Sequence, residues 1–319
     1  MANAVIVDAV RTPGGKRNGK LSGWHPADLA AETLKALAER NGLDPALVDD
    51  VVMGCVMQVG DQSVNVGRNA VLAAGWPESV PATTVDRQCG SSQQALHFVA
   101  QGIMAGAYDV AVAAGVECMT RVPMGASIGS GVGFPFGPSV RARYEAVGGL
   151  VPQGISAEMI ADQWGLSRDD LDAYGARSQQ YGLRATEEGR FENEIVPIVV
   201  RDGEGNATDD VLERDEGLRP GTTAETLANL KPAFKEDGKV TAGNSSQITD
   251  GASAVLVMSE EKANELGLTP RARFVGFSVV GVDPVTMLTG PIPATKRVLE
   301  RTKLTLDEID LVEINEAFA

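Results

Sequence analysis

Four stretches of this chain are apolar on consecutive residues instead of alternate ones. Residues 4–10, 51–56, 109–114 and 252–258 run through Val, Ile, Ala, Leu and Met with little interruption. A strand with one wet face alternates polar and apolar side chains, so strands like these must be covered on both faces. Helical patterns lie between them. Residues 28–40 are apolar at helical spacing and stop before Gly42, a residue suited to a helix C-cap. Residues 91–104 carry Ala95, Leu96, Phe98, Val99 and Ile103, which predicts a helix buried from several directions. Strands and helices in this order imply an α/β core with helices on both sides of a sheet.

The pattern breaks between about Arg121 and Gly243, where Gly, Pro and charged residues dominate. One helix start stands out there, Ser167-Arg168-Asp169-Asp170 followed by Leu171. Because the apolar signal returns at residues 252–258 and again from Phe274, the middle reads as an insertion of helices and loops. A weak internal echo is also present. Residues 43–53 leave a helix and enter a strand, and residues 304–314 repeat that pattern near the end, which suggests two related halves with the second cut short.

The 319 residues include 43 acidic and 28 basic side chains, for a net charge of −15. That balance argues against nucleic acid and anionic membrane as partners, and an anionic ligand would need a local cluster of Lys and Arg. No run approaches the length of a membrane-spanning helix, and the N-terminus lacks the basic start of a signal peptide. Cys55, Cys89 and Cys118 are odd in number and widely spaced, which predicts free thiols and a cytoplasmic protein. With only His25 and His97 and no CxxC, no metal site is expected. The loop Gly129-Ser130-Gly131-Val132-Gly133 has phosphate-loop composition, but it lacks a preceding strand and reads as plain loop. His25 before Pro26 reads as a surface residue, while Cys55 and Cys118 read as core.

Cys89 lies in Val85-Asp86-Arg87-Gln88-Cys89-Gly90-Ser91-Ser92-Gln93-Gln94, just ahead of the helix at 91–104. A thiol at a helix N-terminus meets unpaired N–H groups and the positive end of the dipole, which favour the thiolate. A thiolate attacks thioester carbonyls. On local chemistry alone a small buried residue at a tight turn fits equally well, and both readings stand at this point. His97, two turns along the same helix, is too far on to act as a base for this thiol.

The segment around Cys89 resembles the nucleophile segment of the thiolase family. Further landmarks occur in the family's order: Arg11-Thr12-Pro13, Gly115-Val116-Glu117-Cys118-Met119, Thr241-Ala242-Gly243-Asn244-Ser245-Ser246 with Asp250-Gly251-Ala252, Gly290-Pro291, and Asn315-Glu316-Ala317-Phe318-Ala319. The wording near Cys89 is most similar to the lipid- and steroid-degrading acyl-CoA thiolases of actinobacteria. The resemblance implies a layered αβαβα fold. An N-terminal domain would comprise 1–120 plus 247–270, an inserted CoA-binding loop domain 121–246, and the truncated start of a C-terminal domain 271–319. It implies an acyltransferase that cleaves 3-ketoacyl-CoA or condenses acetyl-CoA, with CoA as co-substrate, no bound cofactor, and a dimeric or tetrameric homo-oligomer.

The same resemblance assigns roles. Cys89 would take the acyl group, and Asn315 would hold the thioester oxygen, usually through a water. Arg219 would meet the nucleotide end of CoA. Thr226, Leu230, Ala242 and Ser246 would line its adenine and pantetheine path, and Met287 and Phe318 the acyl end. Taken singly, each matches an ordinary cap, core or loop residue as well. The family also uses the histidine of a Gly-His-Pro motif and the cysteine of a Cys-x-Gly motif, and neither motif occurs in these 319 residues. The expectation is therefore a chain lacking part of its catalytic site and inactive alone. The rival readings are a non-catalytic acyl-CoA-binding or assembly subunit and, less well matched, a ketoacyl synthase.

Overall fold

The computed structural model describes residues 2–129 and 131–319; Ser130 of the glycine-rich loop lies outside the described residues. The chain divides into two compact units, the first formed by Met1–Gly131, Gly189–Gly217 and Ile248–Phe274, the second by Val132–Glu188, Leu218–Gln247 and Val275–Ala319.

In chain order the elements of the first unit begin with β1 (Ala4–Arg11), β2 (Gly15–Lys16), α1 (Pro26–Asn41) and β3 (Asp50–Gly54). They continue with α2 (Val66–Ala73), β4 (Ala82–Val85), α3 (Ser91–Met104) and β5 (Val110–Cys118). The second unit contributes α4 (Pro138–Tyr144), α5 (Gln153–Gln163) and α6 (Arg168–Glu187). The hairpin β6 (Ile198–Arg201) and β7 (Ala207–Leu212) returns to the first unit, and α7 (Ala224–Ala228) belongs to the second. Then come β8 (Thr249–Ser259), α8 (Glu260–Glu265) and β9 (Ala272–Arg273) in the first unit, and α9 (Pro291–Thr302) in the second.

The four apolar runs are β1, β3, β5 and β8, and they form the centre of one sheet ordered β4-β3-β5-β8-β1-β9, with β2 paired to β8. β3, β4 and β5 are parallel, with Gly54 level with Val85 and Gly115, whereas β8 runs antiparallel to both β5 and β1. Alternate residues of β5 face opposite ways. Val110, Val112, Ala114 and Val116 join Leu29, Leu34 and Leu37 of α1 in the main core. Ala111 and Ala113, also buried, point the other way, where α3 lies. Small side chains on that second face let α3 approach closely, and the sheet is covered on both sides as its apolar strands require.

Local signals were accurate where they were strong. α1 ends at Gly42, which adopts the left-handed conformation (φ 56°), and His25 caps its start by accepting the Ala27 N–H, so His25 is a half-buried cap and not a plain surface residue. Ser167 and Asp170 form a reciprocal capping box at α6.

Three expectations need correction. α3 is buried on one face only, because Phe98 is 43% exposed while Ala95, Val99 and Ile103 are fully covered. The stretch 189–217 packs with the first unit instead of with an insertion spanning 121–246. Arg11 holds it there by binding Glu194 and Asp215 at 2.7 Å each, while the Trp24 indole donates to the Val199 carbonyl at 2.9 Å. Ile198 and Leu212 enter the main core. Finally, the echo near the end is half realised. α9 stops at Lys303 in the left-handed region (φ 60°) and a short 3-10 turn follows at Leu306–Glu308, matching Gly42 and the turn Pro45–Leu47. Residues 310–314, however, pair with no strand, whereas 50–54 have ladder partners on both sides.

The second unit has a small core of Ala157, Ala161, Leu171 and Val240, against which Leu166, Leu288 and Phe318 pack. Within it two carboxylates are almost fully buried. Glu158 accepts the N–H groups of Lys239 and Val240, and Asp172 pairs with Arg168 and accepts from the Asn244 amide.

Candidate active site

Cys89 sits on the turn that joins β4 to α3, beyond the C-terminal ends of the parallel strands. Cys89 is exposed, whereas Cys55 and Cys118 are buried, so the alternative of a small buried residue at this turn does not hold. Gly90 occupies the N-cap position and no side chain caps the helix; the Ser91 N–H is taken by the Gln88 carbonyl at 3.0 Å, and the N–H groups of Ser92 and Gln93 are left without a capping side chain, open to an anion. The turn is tightly specified. Gln88 adopts a positive φ of 47°, rare for a residue with a side chain, and its N–H is accepted by Asp86 Oδ1 at 2.6 Å. The Ser91 hydroxyl donates to the Gln88 carbonyl at 2.6 Å and accepts the Arg87 N–H at 3.0 Å.

Two glycines let the helix start this close to the sheet. A Cβ on Gly54 would lie 2.3 Å from the Ser92 backbone nitrogen, and one on Gly115 would lie 1.9 Å from the Ser92 hydroxyl. Gly54 is the last residue of β3, and Gly115 is its partner in the last pair of the β3–β5 ladder.

Beside them, Glu117 stands in an otherwise apolar strand. Its carboxylate accepts the N–H groups of Val56 and Met57 and the Gln62 amide, and Gln62 in turn accepts the Cys118 N–H. This half-buried network fixes the loop after β3. It also sets the other thiols apart. Burial, then the negative charges of Glu117 and Asp86, push the Cys55 thiol up to about 12. Burial and the carboxylates of Asp250 and Glu117 push Cys118 upward as well. Burial and the positive charge of Arg87 lower His97, keeping the imidazole neutral at physiological pH.

The remaining eight site residues expected from the sequence all belong to the second unit. The loop 241–246 is held from within by Asn244, whose side chain accepts the Thr241 N–H and donates to Asp172 and to the Lys239 carbonyl. Segment 315–319 lies along this loop: Ser246 N–H donates to the Ala317 carbonyl at 2.8 Å and Ala319 N–H to the Asn244 carbonyl at 2.9 Å. Ser246 and Asn315 thereby share the wall of one open cavity of about 640 Å³, with Tyr174, Ile314 and Glu316. The Glu316 carboxylate accepts from the Tyr174 and Ser178 hydroxyls of α6, and this hydrogen bond, with burial second, raises the Tyr174 phenol.

Phe318 is half-buried, edge-on to Phe234 at 6.0 Å. Leu230, 38% exposed, lies beside Gly243, and its carbonyl, like that of Leu227, accepts from Arg168. Ala242 and Thr226 are exposed, Thr226 within the capping box of α7. Arg219 is exposed, with its N–H bound by Gln179 Oε1 at 2.9 Å. Met287 starts a 3-10 turn and is half-buried.

Sequence reasoning missed the groups that hold these residues in place: Gly54, Gly115, Glu117, Glu158, Asp172 and Glu316. Gly115, Glu117 and Glu316 stood inside the landmark segments without a role assigned to them, and Glu117 carried a further signal as a single carboxylate inside an apolar strand. No cluster of three or more His, Cys, Asp or Glu that could bind a metal occurs among the described residues, and none of their helices is long and apolar enough to cross a membrane.

Comparison with known proteins identifies the architecture. Residues 4–261 match the thiolase N-terminal domain and residues 268–319 the thiolase C-terminal domain. Over its whole length the chain is 46% identical to steroid 3-ketoacyl-CoA thiolase FadA6 of Mycobacterium tuberculosis, covering 77% of that protein. It is likewise 47% identical to a 3-ketoacyl-CoA thiolase of Aliivibrio fischeri, covering 81% of it. Among solved structures it resembles the acetyl-CoA acetyltransferase of Bacillus anthracis with a TM-score of 0.87 and 38% identity, covering all of this chain and 81% of that one. The apolar sheet, the turn that presents Cys89 and these matches lead to one assignment: the chain has the thiolase fold and belongs to the thiolase family.

Proposed function

We propose that this chain performs cysteine-based acyl transfer on acyl-CoA thioesters. The Cys89 thiolate attacks the thioester carbonyl, the C–S bond to CoA breaks, CoA leaves as its thiolate, and the acyl group remains on Cys89 as a new thioester. For a 3-ketoacyl-CoA substrate the thiolate attacks the 3-keto carbonyl instead, the C2–C3 bond breaks, the shortened acyl group stays on Cys89, and acetyl-CoA leaves as its enolate, which takes a proton from solvent. Asn315 stabilises the oxygen that gains negative charge. Arg219 pairs with the nucleotide phosphates, Thr226, Leu230, Ala242 and Ser246 line the CoA path, and Met287 and Phe318 face the acyl group. Coenzyme A is the co-substrate, and the working form is a homo-oligomer in the cytoplasm.

The observation that carries this reading is the exposure of Cys89 at an uncapped helix N-terminus, while the other two thiols are buried and hard to ionise. The names of the relatives support 3-ketoacyl-CoA or acetyl-CoA thioesters as the substrate class. Incubation with acetyl-CoA or a 3-ketoacyl-CoA should place an acyl group on the Cys89 peptide, detectable by mass spectrometry and lost in Cys89→Ser.

A second reading has its own support. The 319 residues hold neither Gly-His-Pro nor Cys-x-Gly, which favours a non-catalytic acyl-CoA binder. Proton transfer by such groups is worth about 100- to 10,000-fold for each step they serve. Acylation without steady-state thiolysis is therefore expected. CoA binding with no acyl-Cys89 at all would establish the second reading instead.

A further inference from the structure

The Cys89 turn is braced by the side chain of Ser91, two residues along the chain. Ser91 is 4% exposed, and its hydroxyl spans the turn by accepting the Arg87 N–H and donating to the Gln88 carbonyl. The Ser91 N–H donates to the same Gln88 carbonyl at 3.0 Å, and the Gly90 N–H to that of Arg87 at 3.1 Å. Gln88, locked between Asp86 and Ser91, is thereby kept in a left-handed conformation that a side-chain-bearing residue otherwise leaves. The next residue is Cys89, and its direction follows from the φ and ψ of Gln88. On the other side Ser92 is wedged over Gly54 and Gly115, so the helix cannot retreat to accommodate a different turn.

We propose that Ser91 is a positioning residue for the nucleophile: its hydroxyl holds Gln88 left-handed and so keeps the Cys89 sulfur over the uncapped N-terminus of α3. This rests on the reading of Cys89 as nucleophile, but its consequence is measurable without turnover. Removing the hydroxyl frees the Arg87–Gln88 peptide, Gln88 relaxes, and the Cys89 side chain is re-aimed relative to the start of α3.

The test is the pH profile of iodoacetamide alkylation at Cys89 in the full chain, followed peptide by peptide. Ser91→Ala should slow Cys89 alkylation by about fivefold, the worth of a helix-terminus interaction. Ser91→Thr, which keeps a hydroxyl, should return it toward the parent profile. Cys55 and Cys118 must stay protected, which reports an intact core, and all variants should react alike in denaturant. A Ser91→Ala profile that superimposes on the parent's overturns the proposal, as does a Ser91→Thr profile no better than that of Ser91→Ala. Should Ser91→Ala expose the buried thiols, Gln88→Val decides. A β-branched residue resists this positive φ, so Cys89 should slow with Ser91 present and the core protected, and unchanged reactivity refutes the idea. A parent chain that reacts this way yet takes no acyl group from acyl-CoA would defeat the functional reading and leave the role of Ser91 standing.

Discussion

At the scale of single residues, the three cysteines differ by environment more than by sequence. Cys55 is raised to about 12, so at pH 8 only about one molecule in ten thousand carries its thiolate, and its burial bars reagent as well. The sign is plain: a raised thiol pKa withdraws thiolate at every pH below it. Iodoacetamide at neutral to mildly alkaline pH should therefore label Cys89 first. Prior labelling of Cys55 or Cys118 in folded protein would contradict the choice of nucleophile. Arg219 is the corresponding test for the ligand. It is an exposed cation in a chain of net charge −15, and Arg219→Ala should weaken CoA binding by about 1.5–3 kcal/mol, the worth of a charge-assisted hydrogen bond. Calorimetry showing unchanged affinity would remove it from the site.

At the scale of elements, α3 and the sheet beneath it make one rigid platform. Gly54→Ala drives a methyl group into the Ser91–Ser92 backbone, which unlike a flexible side chain cannot swing aside. Loss of about 1–3 kcal/mol in denaturant melts is expected, together with slower alkylation of Cys89 because the helix start must lift. Normal stability and reactivity would mean that the approach of α3 to β3 is looser than the geometry implies. The hairpin β6–β7 offers a second test. Arg11 binds Glu194, bridges to both oxygens of Asp215 and stacks over Phe191 at 5.2 Å. Arg11→Met should cost about 1.5–3 kcal/mol and open residues 189–217 to limited proteolysis before the rest of the first unit. Simultaneous cleavage elsewhere would show that Arg11 is not what holds this stretch.

At the scale of the whole molecule, apolar surface remains uncovered in the last fifty residues. Leu311 is 90% exposed, Val312 74%, Ile292 64% and Leu306 61%, and α9 buries none of its residues. Large apolar side chains this exposed favour association that covers them. The 319-residue chain should self-associate in a concentration-dependent manner, seen by light scattering after size exclusion. A monomer that melts cooperatively and stays soluble at high concentration would refute this.

The doubly covered sheet, the stop of α1, both ends of α3, the start of α6 and the turn that bears Cys89 were legible in the sequence. Each of these is written in neighbouring residues: an unbroken apolar run, a cap, a left-handed glycine. The landmark segments around Cys89 and Asn315 were also legible, since motif resemblance is local. Tertiary structure alone decided which thiol faces solvent, that residues 189–217 side with the first unit, and that 310–314 form no ladder while 50–54 do. It likewise decided that Glu158 and Asp172 would be buried and Glu117 half-buried, all three with hydrogen-bond partners. Those outcomes depend on partners far along the chain, such as Asp215 for Arg11, Gln62 for Glu117 and Lys239 for Glu158. Burial and strand pairing are properties of a pair, and one segment read alone holds only half of the pair.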